Sequence, residues 1–215
     1  MESTEIRADN PPAADGRTPG RRGRATRQRL LDVTAEVLGE VSFLDLKVTD
    51  ISRRAGTSPA TFYQYFADAE AAVLSLAEQM VENGSDELRA LVVEPDWNGG
   101  DAARELAGGF LRFFETHEVM LRVIDIATTE GDERFRALRV RLLNGVFLAL
   151  RDLAEAAETD DRLADGVDPG AAAGVLTTML AHVSAHQPGF ESWGVGRTAL
   201  QDTMATLIDT TVRAH

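Results

Sequence analysis

Residues 47–66 constrain the fold more than any other part of this 215-residue chain. Val48, Ile51 and Ala55 recur at the spacing that places apolar side chains on one face of a helix. Gly56 follows directly, and a glycine suits a tight turn because positive φ angles cost it little. The pattern therefore predicts a short amphipathic helix that ends in a turn.

A second short helix is predicted directly after this turn. Ser58 is a favourable N-cap and Pro59 a favourable first helical residue, and the helix is predicted to run to about Tyr65. Phe62 and Phe66 are predicted to pack inward. Two short helices joined by a glycine turn form the outline of a helix-turn-helix, whose second helix enters the major groove of DNA.

Helical periodicity also dominates the rest of the chain. A first helix is predicted from about Thr26, with an apolar stripe of Leu30, Thr34, Val37, Leu38 and Val41. Further helices are predicted over about 70–92, 101–116, 119–128, 132–157, 169–186 and 197–213. No strand-like alternation exceeds four residues, so the prediction is an all-α chain of about nine helices.

Composition divides the chain into three predicted parts. Residues 1–23 carry proline, glycine and arginine with almost no apolar side chains, which predicts a disordered basic arm. Residues 24–84 are predicted to form the helix-turn-helix domain. Residues 85–215 are predicted to form a larger helical domain.

The distribution of charge favours nucleic-acid binding at the front of the chain only. The whole chain has a formal net charge of −13, which alone would argue against DNA as a partner. Residues 1–67 carry 10 basic and 9 acidic side chains, whereas the remainder carries 12 and 26. No acid interrupts six arginines near the N-terminus: Arg17, Arg21, Arg22, Arg24, Arg27 and Arg29. Because salt confines phosphate attraction to about 10 Å, this local excess matters more than the total.

Part of the predicted arm is a candidate for minor-groove contact. The run Arg21-Arg22-Gly23-Arg24 places flexible arginines around a glycine, which suits a narrow minor groove. The alternative is a disordered tail without DNA contact, since basic tails are common.

Signatures of other protein classes do not occur in the sequence. No apolar run approaches the roughly 18 residues of a membrane span, and no signal-peptide core is present. Cysteine is absent, which excludes disulfides and fits a cytoplasmic protein. No nucleophile elbow, P-loop or dinucleotide-binding glycine pattern occurs, so neither catalysis nor a cofactor is expected. His182 and His186 have a spacing that can hold a metal, but no third ligand has a fixed spacing, so no metal site is expected.

Three pieces of the front region carry a family resemblance. They are the first-helix residues Arg27, Leu30, Leu31 and Ala35, the segment 48–52, and the segment 55–66. Together they resemble the TetR family of bacterial transcriptional repressors, with a match over about residues 24–84. The resemblance implies an N-terminal three-helix helix-turn-helix domain and a C-terminal helical domain for ligand binding and dimerisation.

The function that this resemblance implies is repression. A TetR-like repressor is released from a palindromic DNA operator by a small hydrophobic effector. The alternatives are a ligand sensor or adaptor on the same fold that does not bind DNA, and an enzyme.

Three positions depart from the pattern of the family. Ser42 stands where glycine is frequent, Lys47 where serine or threonine is usual, and Ala69 where lysine is usual. The change at Ala69 removes one expected phosphate contact. Lys47, the only lysine in the chain, either replaces that contact or is a solvated surface charge. The same two interpretations apply to the arginine pair at 53–54.

The candidate DNA-binding residues come from the first three helices. They are Arg27, Lys47, Thr57, Ser58, Pro59, Ala60, Thr61, Tyr63, Gln64 and Tyr65. Gln64 can pair with adenine through two hydrogen bonds, and the methyl group of Ala60 or Thr61 can contact that of thymine. A phosphate contact of Tyr63 is implied by the resemblance alone.

Bulky side chains and a few polar groups in the later helices mark a candidate effector site. The candidates are Trp97, Phe110, Phe114, Ile124, Asn144, Phe147, Thr178 and His182. For each apolar residue the alternative is ordinary core packing. The acidity of this region favours a neutral or cationic effector over an anionic one.

A homodimer is predicted through the last two helices, because two helix-turn-helix units on a two-fold axis read a palindrome. The predicted interface is an apolar stripe on these helices. It comprises Leu176, Met179, Leu180, Val183, Leu200, Met204, Leu207, Ile208 and Thr211. The alternative is that the stripe belongs to the core of one subunit, since an amphipathic helix needs only one partner.

Overall fold

The computed structural model describes residues 20–97 and 101–212, and these residues form helices joined by short connections. The helices are α1 (Arg21–Leu38), α2 (Val48–Arg54), α3 (Pro59–Tyr63), α4 (Ala69–Val93), α5 (Ala102–Thr116), α6 (Glu118–Thr129), α7 (Glu133–Thr159), α8 (Pro169–Ala185), α9 (Gln187–Ser192) and α10 (Arg197–Val212). No strand occurs in the described residues, so the all-α prediction is confirmed. None of their helices is long and apolar enough to cross a membrane.

Two local differences from the sequence-based prediction concern α1. The helix begins at Arg21, inside the predicted arm, and arginine is a good helix former. The predicted arm before Gly20 lies outside the described residues. Val41 was predicted to be buried but is 40% exposed, because α1 ends at Leu38.

The described α-helices number ten, one more than the nine helices predicted, and a short 3-10 helix, Phe43–Asp45, lies between α1 and α2. The additional helix is α9, a six-residue element with Pro188 in its first turn. The sequence predicted a break at Pro188, and proline at this position is also compatible with the start of a new helix.

The chain forms two compact units, which divide between Leu76 and Ala77 within α4. The core of the first unit brings together buried apolar side chains from α1 to the start of α4. They are Leu30, Leu31, Val33, Val37, Ile51, Ala55, Phe62, Phe66 and Ala72. Phe62 and Phe66 therefore pack inward as predicted.

The second unit depends on close approach between helices. Gly84 on α4 faces Phe113 on α5, and an ideal Cβ on this glycine would stand 2.6 Å from Phe113 Cζ. Gly109 on α5 faces Leu91 on α4, where the corresponding distance to Leu91 Cδ2 is 2.5 Å. Real Cβ atoms do not approach other atoms so closely, so a side chain at either glycine would require its neighbour to move. The buried Phe113 ring has little room to move, whereas the half-buried Leu91 can change rotamer.

Carboxylate caps fix the starts of α7 and α8. Asp132 Oδ1 accepts a hydrogen bond from the backbone N–H of Arg134 at 2.8 Å, and Asp168 Oδ1 accepts one from Ala171 at 2.7 Å. The Arg134 guanidinium beside Asp132 lowers the pKa of that carboxyl from 3.8 to about 2. Because the folded-state pKa is lowered, this cap stabilises the fold above about pH 4 and the effect is lost as the pH falls through about 2.

The glycine contacts predict opposite effects for two Gly→Ala substitutions inside helices. Gly84→Ala should lower the free energy of unfolding by about 1–2 kcal/mol, because the new methyl group overlaps the buried Phe113 ring. Gly174→Ala on α8 should raise it by up to about 1 kcal/mol, because its nearest neighbour, Phe147, is 4.0 Å away. Urea unfolding measures both, and a stabilised Gly84→Ala variant would contradict this description of the α4–α5 contact.

Candidate nucleic-acid interface

The turn and cap before α3 have the geometry that the sequence predicted. Gly56 has φ +68°, the left-handed conformation that favours glycine. Ser58 is the N-cap of α3, and its Oγ accepts a hydrogen bond from the backbone N–H of Thr61 at 3.1 Å. The Ser58 and Thr61 hydroxyl oxygens are also 3.0 Å apart. The side chains of Ser58 and Thr61 thereby stabilise the first turn of α3.

Two aromatic side chains hold α3 against the first unit. Phe62 is fully buried and Phe66 is 3% exposed, with their ring centroids 5.5 Å apart. The Tyr63 ring meets Phe62 edge-on at 5.9 Å but remains 53% exposed. The burial of Phe62 and Phe66 determines which side of this short helix faces outward.

The outward side of α3 carries most of the predicted DNA-binding residues. Ser58, Pro59, Ala60, Tyr63 and Gln64 are exposed. The remaining three candidates of this segment, Thr57, Thr61 and Tyr65, are half-buried. Small side chains at the start of the helix and a planar amide at its end form a surface that a base pair can approach closely.

Arg27 is tied into the first unit. Its Nη2 donates a hydrogen bond to Ser75 Oγ at 3.2 Å, and its guanidinium lies 5.0 Å from the centre of the Phe66 ring. These contacts join α1 to α4 and to Phe66, one of the two buried aromatic residues against which α3 packs. Arg27 therefore helps to hold α1, α3 and the start of α4 together, whether or not it also contacts DNA.

The basic side chains of α2 differ in how they are paired. Arg54 donates two hydrogen bonds of 2.7 Å to the carboxylate of Glu40, which lowers the pKa of Glu40 and raises that of Arg54. Arg53 pairs with Asp50 at 2.9 Å. Lys47 is exposed at the N-cap of α2 and makes no ion pair with a described residue. Among these cations, Lys47 is the one that no carboxylate neutralises.

Arg29, named above only as part of the arginine-rich stretch, is a further candidate for DNA contact. It is exposed on α1, and its Nη2 lies 3.8 Å from the place where a Cβ would stand on Gly56. Within the described part of the chain it has no carboxylate partner. Its guanidinium thus lies beside the turn that precedes α3, a position that only tertiary packing defines.

In the second unit, some of the predicted effector residues come together. Phe114, Ile124 and His182 line a small cavity of about 20 Å³. Phe114 also lines a larger opening of about 560 Å³, which we call the α6 cleft and whose wall includes Phe114, Leu121, Asp125, Ser184, His186 and Pro188.

The other predicted effector residues line neither of these two cavities. Phe110 is fully buried and stacks on Phe114 at 6.1 Å, and Phe147 is half-buried. Asn144 and Thr178 are exposed. Trp97 Nε1 donates a hydrogen bond to the carbonyl oxygen of Val92 at 2.7 Å.

The two histidines of α8 and its C-cap stack on each other. The ring centroids of His182 and His186 are 4.1 Å apart, and His186 Nδ1 lies 2.9 Å from the carbonyl oxygen of His182. No group of three or more metal-binding side chains occurs within residues 20–97 and 101–212.

The predicted dimer stripe requires a correction. Five of its members are buried inside the second unit of a single chain: Leu176, Leu180, Leu200, Met204 and Ile208. They belong to the intramolecular core, which was the alternative interpretation of the stripe. Leu207, also a member of the predicted stripe, is 48% exposed on α10, and Val175, which was not predicted, is 67% exposed on α8. The remaining stripe members, Met179, Val183 and Thr211, are half-buried.

An exposed short helix on a buried aromatic base, preceded by a glycine turn, defines a helix-turn-helix protein. Comparison with protein families gives the same result. Residues 30–74 match the model of bacterial regulatory proteins of the tetR family, and residues 88–215 match the tetracyclin repressor-like C-terminal domain. The chain belongs to the TetR family of bacterial regulatory proteins.

Three curated relatives are transcriptional regulators of the helix-turn-helix type. BetI from Brucella suis is 23% identical over 65% of this chain and 73% of its own length. EthR from Mycobacterium tuberculosis is 30% identical over 50% of each chain. The uncharacterised regulator YvdT from Bacillus subtilis is 29% identical over 29% of this chain. The alignments span about a third of YvdT and half of EthR.

Solved structures share the fold. The fatty acid degradation regulator FadR from Bacillus halodurans superposes with a TM-score of 0.65 over 93% of this chain and all of that one, at 17% identity. The SmeT–triclosan complex gives a TM-score of 0.63 over 86% and 90% of the two chains, at 15% identity.

The N-cap of α3 gives a stability prediction for the first unit. Ser58→Ala should lower the free energy of unfolding by about 1 kcal/mol, because the N–H of Thr61 loses its side-chain acceptor and keeps only the Ser58 carbonyl oxygen at 3.0 Å. Thr26→Ala on α1 is the control, since this hydroxyl bonds only a carbonyl oxygen, and the change should stay within about 0.5 kcal/mol. Denaturant unfolding compares the two, and an equal loss in both variants would contradict the role of the cap.

Proposed function

We propose that this chain is a DNA-binding transcriptional repressor that a small hydrophobic effector releases from a palindromic operator. The observation that carries the proposal is the outward face of α3, which is polar and narrow while its inner face is anchored by buried aromatic rings. Membership in the TetR family supports it. The described residues hold no motif that would favour an enzyme instead.

Base recognition rests on three side chains of α3 and its end. The Gln64 side-chain amide can donate a hydrogen bond from Nε2 to adenine N7 and accept one at Oε1 from the adenine N6 amine, so it would pair with this base through two hydrogen bonds. The methyl groups of Ala60 and Thr61 can contact the thymine methyl group. Tyr63 would contact a phosphate, and its 53% exposure at the edge of α3 supports this role.

Attraction to the phosphate backbone of DNA would come from the basic side chains of the first unit that no carboxylate neutralises. Lys47 precedes α2, and Arg29 lies beside the turn before α3. A phosphate between two helix starts would gain from either charge. Arg53 and Arg54 already bind carboxylates, so a phosphate would have to compete for them.

A dimer would present two copies of α3 to the two halves of a palindrome. We propose that it forms through the outer faces of α8 and α10, because the inner faces are occupied by the core of the unit. Val175 and Leu207 are the large apolar side chains that these outer faces expose. Association through them would remove apolar surface from water.

Effector control requires the second unit to bind its ligand with different affinities in the DNA-bound and the DNA-free states of the protein. A coupling of about 1–3 kcal/mol between the ligand and DNA sites is typical of such systems. Helix α4 has residues in both units. The neighbour SmeT was solved as a complex with triclosan, which supports a ligand site in this kind of domain.

The proposal is tested by selecting DNA from a random pool with the full chain and by gel shift on the selected sequence. The expected result is a palindromic site whose complex weakens steeply as salt increases. No enrichment by a correctly folded chain would favour the ligand sensor that does not bind DNA.

Gln64 is expected to determine part of the sequence preference. Gln64→Ala should weaken binding to the selected site by about 1–3 kcal/mol and relax the preference at one base pair. Gln28→Ala on α1 is the matched control, because the amide of Gln28 is already bound to Asp32 at 2.8 Å. Fluorescence anisotropy titration measures the affinity of both variants. The Gln64→Ala variant should bind the selected site and a site substituted at that one base pair with equal affinity. An unchanged preference would contradict the role of Gln64.

The pairing of basic side chains predicts which of them determine the salt dependence. Lys47→Gln and Arg29→Gln should each reduce the slope of log Kobs against log salt by about 0.9. The double variant Glu40→Gln with Arg54→Gln keeps the net charge and should leave the slope unchanged, because this pair is already neutralised internally. A slope that responds to the double variant but not to Lys47 or Arg29 would contradict the assignment.

The exposed apolar side chains predict how the dimer is disrupted. Val175→Glu and Leu207→Glu should each shift the protein to monomer at micromolar concentration, because an unpaired charge would be buried in the interface. Val140→Glu on α7 is the control, since Val140 is exposed to a similar degree, 61%, on another helix. Sedimentation velocity measures the three variants, and a dimer that persists in both interface variants would rule out this surface.

A further inference from the structure

We propose that the α6 cleft binds a small amphiphilic organic ammonium ion, with its charge at the mouth and a hydroxyl group at the inner end. The inference rests on the proposed function, because it names the chemistry of the effector. It uses only residues of the second unit and depends on size, an unpaired buried hydroxyl and charge.

The size and walls of the α6 cleft suit a small apolar body. Its volume of about 560 Å³ lies in the range of ligand sites, roughly 300–1,000 Å³. The apolar part of the wall comes from α5, α6, the end of α8 and the start of α9. It consists of Phe114, Leu121, Ile126, Ala185 and Pro188.

The wall also contains a buried hydroxyl group without a hydrogen-bond partner. Ser184 is 7% exposed, and its Oγ has no partner among the described residues. Buried hydroxyls are normally paired, and leaving one unpaired costs free energy that a ligand group can recover. Ser184 lines the cleft, but its Oγ is almost fully covered by protein, so a ligand hydroxyl would supply the missing partner after a χ1 rotation of this side chain toward the cleft.

A second residue of α8 provides the internal comparison. Thr177 is 6% exposed, and its hydroxyl is likewise without a partner. It does not line the α6 cleft. The two side chains therefore differ in access to the cleft and not in burial or pairing.

The charged side chains around the cleft favour a ligand of positive charge. Its wall carries three carboxylates, Glu115, Glu118 and Asp125, and one guanidinium, that of Arg122. Glu115 is paired with Arg197, and Asp125 is paired with Arg139 at 2.9 Å.

Glu118 is held much less firmly than the other two acids. The nearest approach of its carboxylate to Arg122 is 3.8 Å, with both side chains more than half exposed. It is thus the carboxylate that a ligand cation can pair with. The rest of residues 68–215 is also negatively charged overall, since this part of the chain carries 12 basic and 26 acidic side chains. At the cleft itself, within the screening distance, the nearby carboxylates repel an anion and attract a cation.

The first experiment compares probes of equal length and different charge. Octylammonium, octanol and octanoate are titrated into the full chain without DNA, with calorimetry as the readout. The expected order of affinity is octylammonium, then octanol, then octanoate. Octanoate binding as tightly as octylammonium would overturn the proposed class of ligand.

The second experiment assigns the ammonium end with two charge variants. Glu118→Gln should weaken octylammonium binding by about three- to fivefold, because an exposed ion pair contributes at most about 1 kcal/mol. Glu130→Gln removes an equal charge beyond the end of α6, outside the cleft, and should leave the affinity nearly unchanged. Equal effects of the two variants would show only general attraction and would overturn the placement at Glu118.

The third experiment assigns the hydroxyl end. The ω-hydroxy derivative of octylammonium should bind up to about tenfold more tightly than octylammonium, as expected for one net hydrogen bond. Ser184→Ala should remove this advantage, and Thr177→Val should retain it. Both variants delete an unpaired buried hydroxyl, so neither is expected to impair folding. An advantage that survives Ser184→Ala, or no advantage in the unmodified chain, would overturn the role of Ser184.

DNA binding is measured in parallel so that two kinds of failure remain distinct. A chain that binds its selected DNA site but not the ammonium probes overturns this inference and leaves the proposed DNA-binding function intact. A chain that binds the probes but no DNA supports the cleft assignment and contradicts the repressor. Probe binding that weakens the DNA complex supports both.

Discussion

The burial of Phe62 and Phe66 is the interaction on which the DNA-facing surface depends. Helix α3 has five residues, far fewer than the roughly 12–15 that an isolated helix needs to be stable in water. It exists because these rings are packed into the core of the first unit and because Ser58 caps its first turn. The same packing turns Ala60 and Gln64 outward. Stability and recognition are therefore properties of opposite sides of one short element.

The charges of the chain are arranged to complement this surface. The acidic side chains that accompany α1 and α2 neutralise Arg53 and Arg54, whereas Lys47 and Arg29 remain unpaired with any carboxylate in the described residues. The large acidic excess lies in the rest of the chain. Because salt screens long-range repulsion, an acidic second unit is compatible with phosphate binding by the first and limits non-specific attachment to DNA. The same acidity favours a cation in the α6 cleft.

Most of the fold was predictable from sequence because helix ends carry local signals. Asp132, Asp168 and Ser58 are side-chain caps, and the bounds of α4 to α8 agree with the predicted ones within about two residues. Helix α9 was missed because Pro188 is compatible both with a break and with a helix start.

The candidate site was predictable only in part, because its remaining features arise from tertiary packing. Arg54 and Glu40 are 14 residues apart, and nothing in the sequence indicates that they pair. The same holds for Arg29 beside Gly56 and for the unpaired hydroxyl of Ser184. An apolar stripe such as that of α10 predicts burial but does not distinguish the core of one subunit from an interface; in this chain Leu200, Met204 and Ile208 lie in the core, whereas Leu207 is exposed.

The most direct measurement of the central claim is the protection of the outer face of α3 by operator DNA. The chain has no cysteine, so Ala60→Cys places a single reactive thiol on that face. Its alkylation rate is measured with and without the selected DNA site, and Ala156→Cys on the exposed side of α7 serves as the control. We predict that DNA lowers the rate at position 60 in proportion to the fraction of protein bound and leaves the rate at position 156 unchanged. Equal rates at position 60 in free protein and in a fully formed complex would contradict the account.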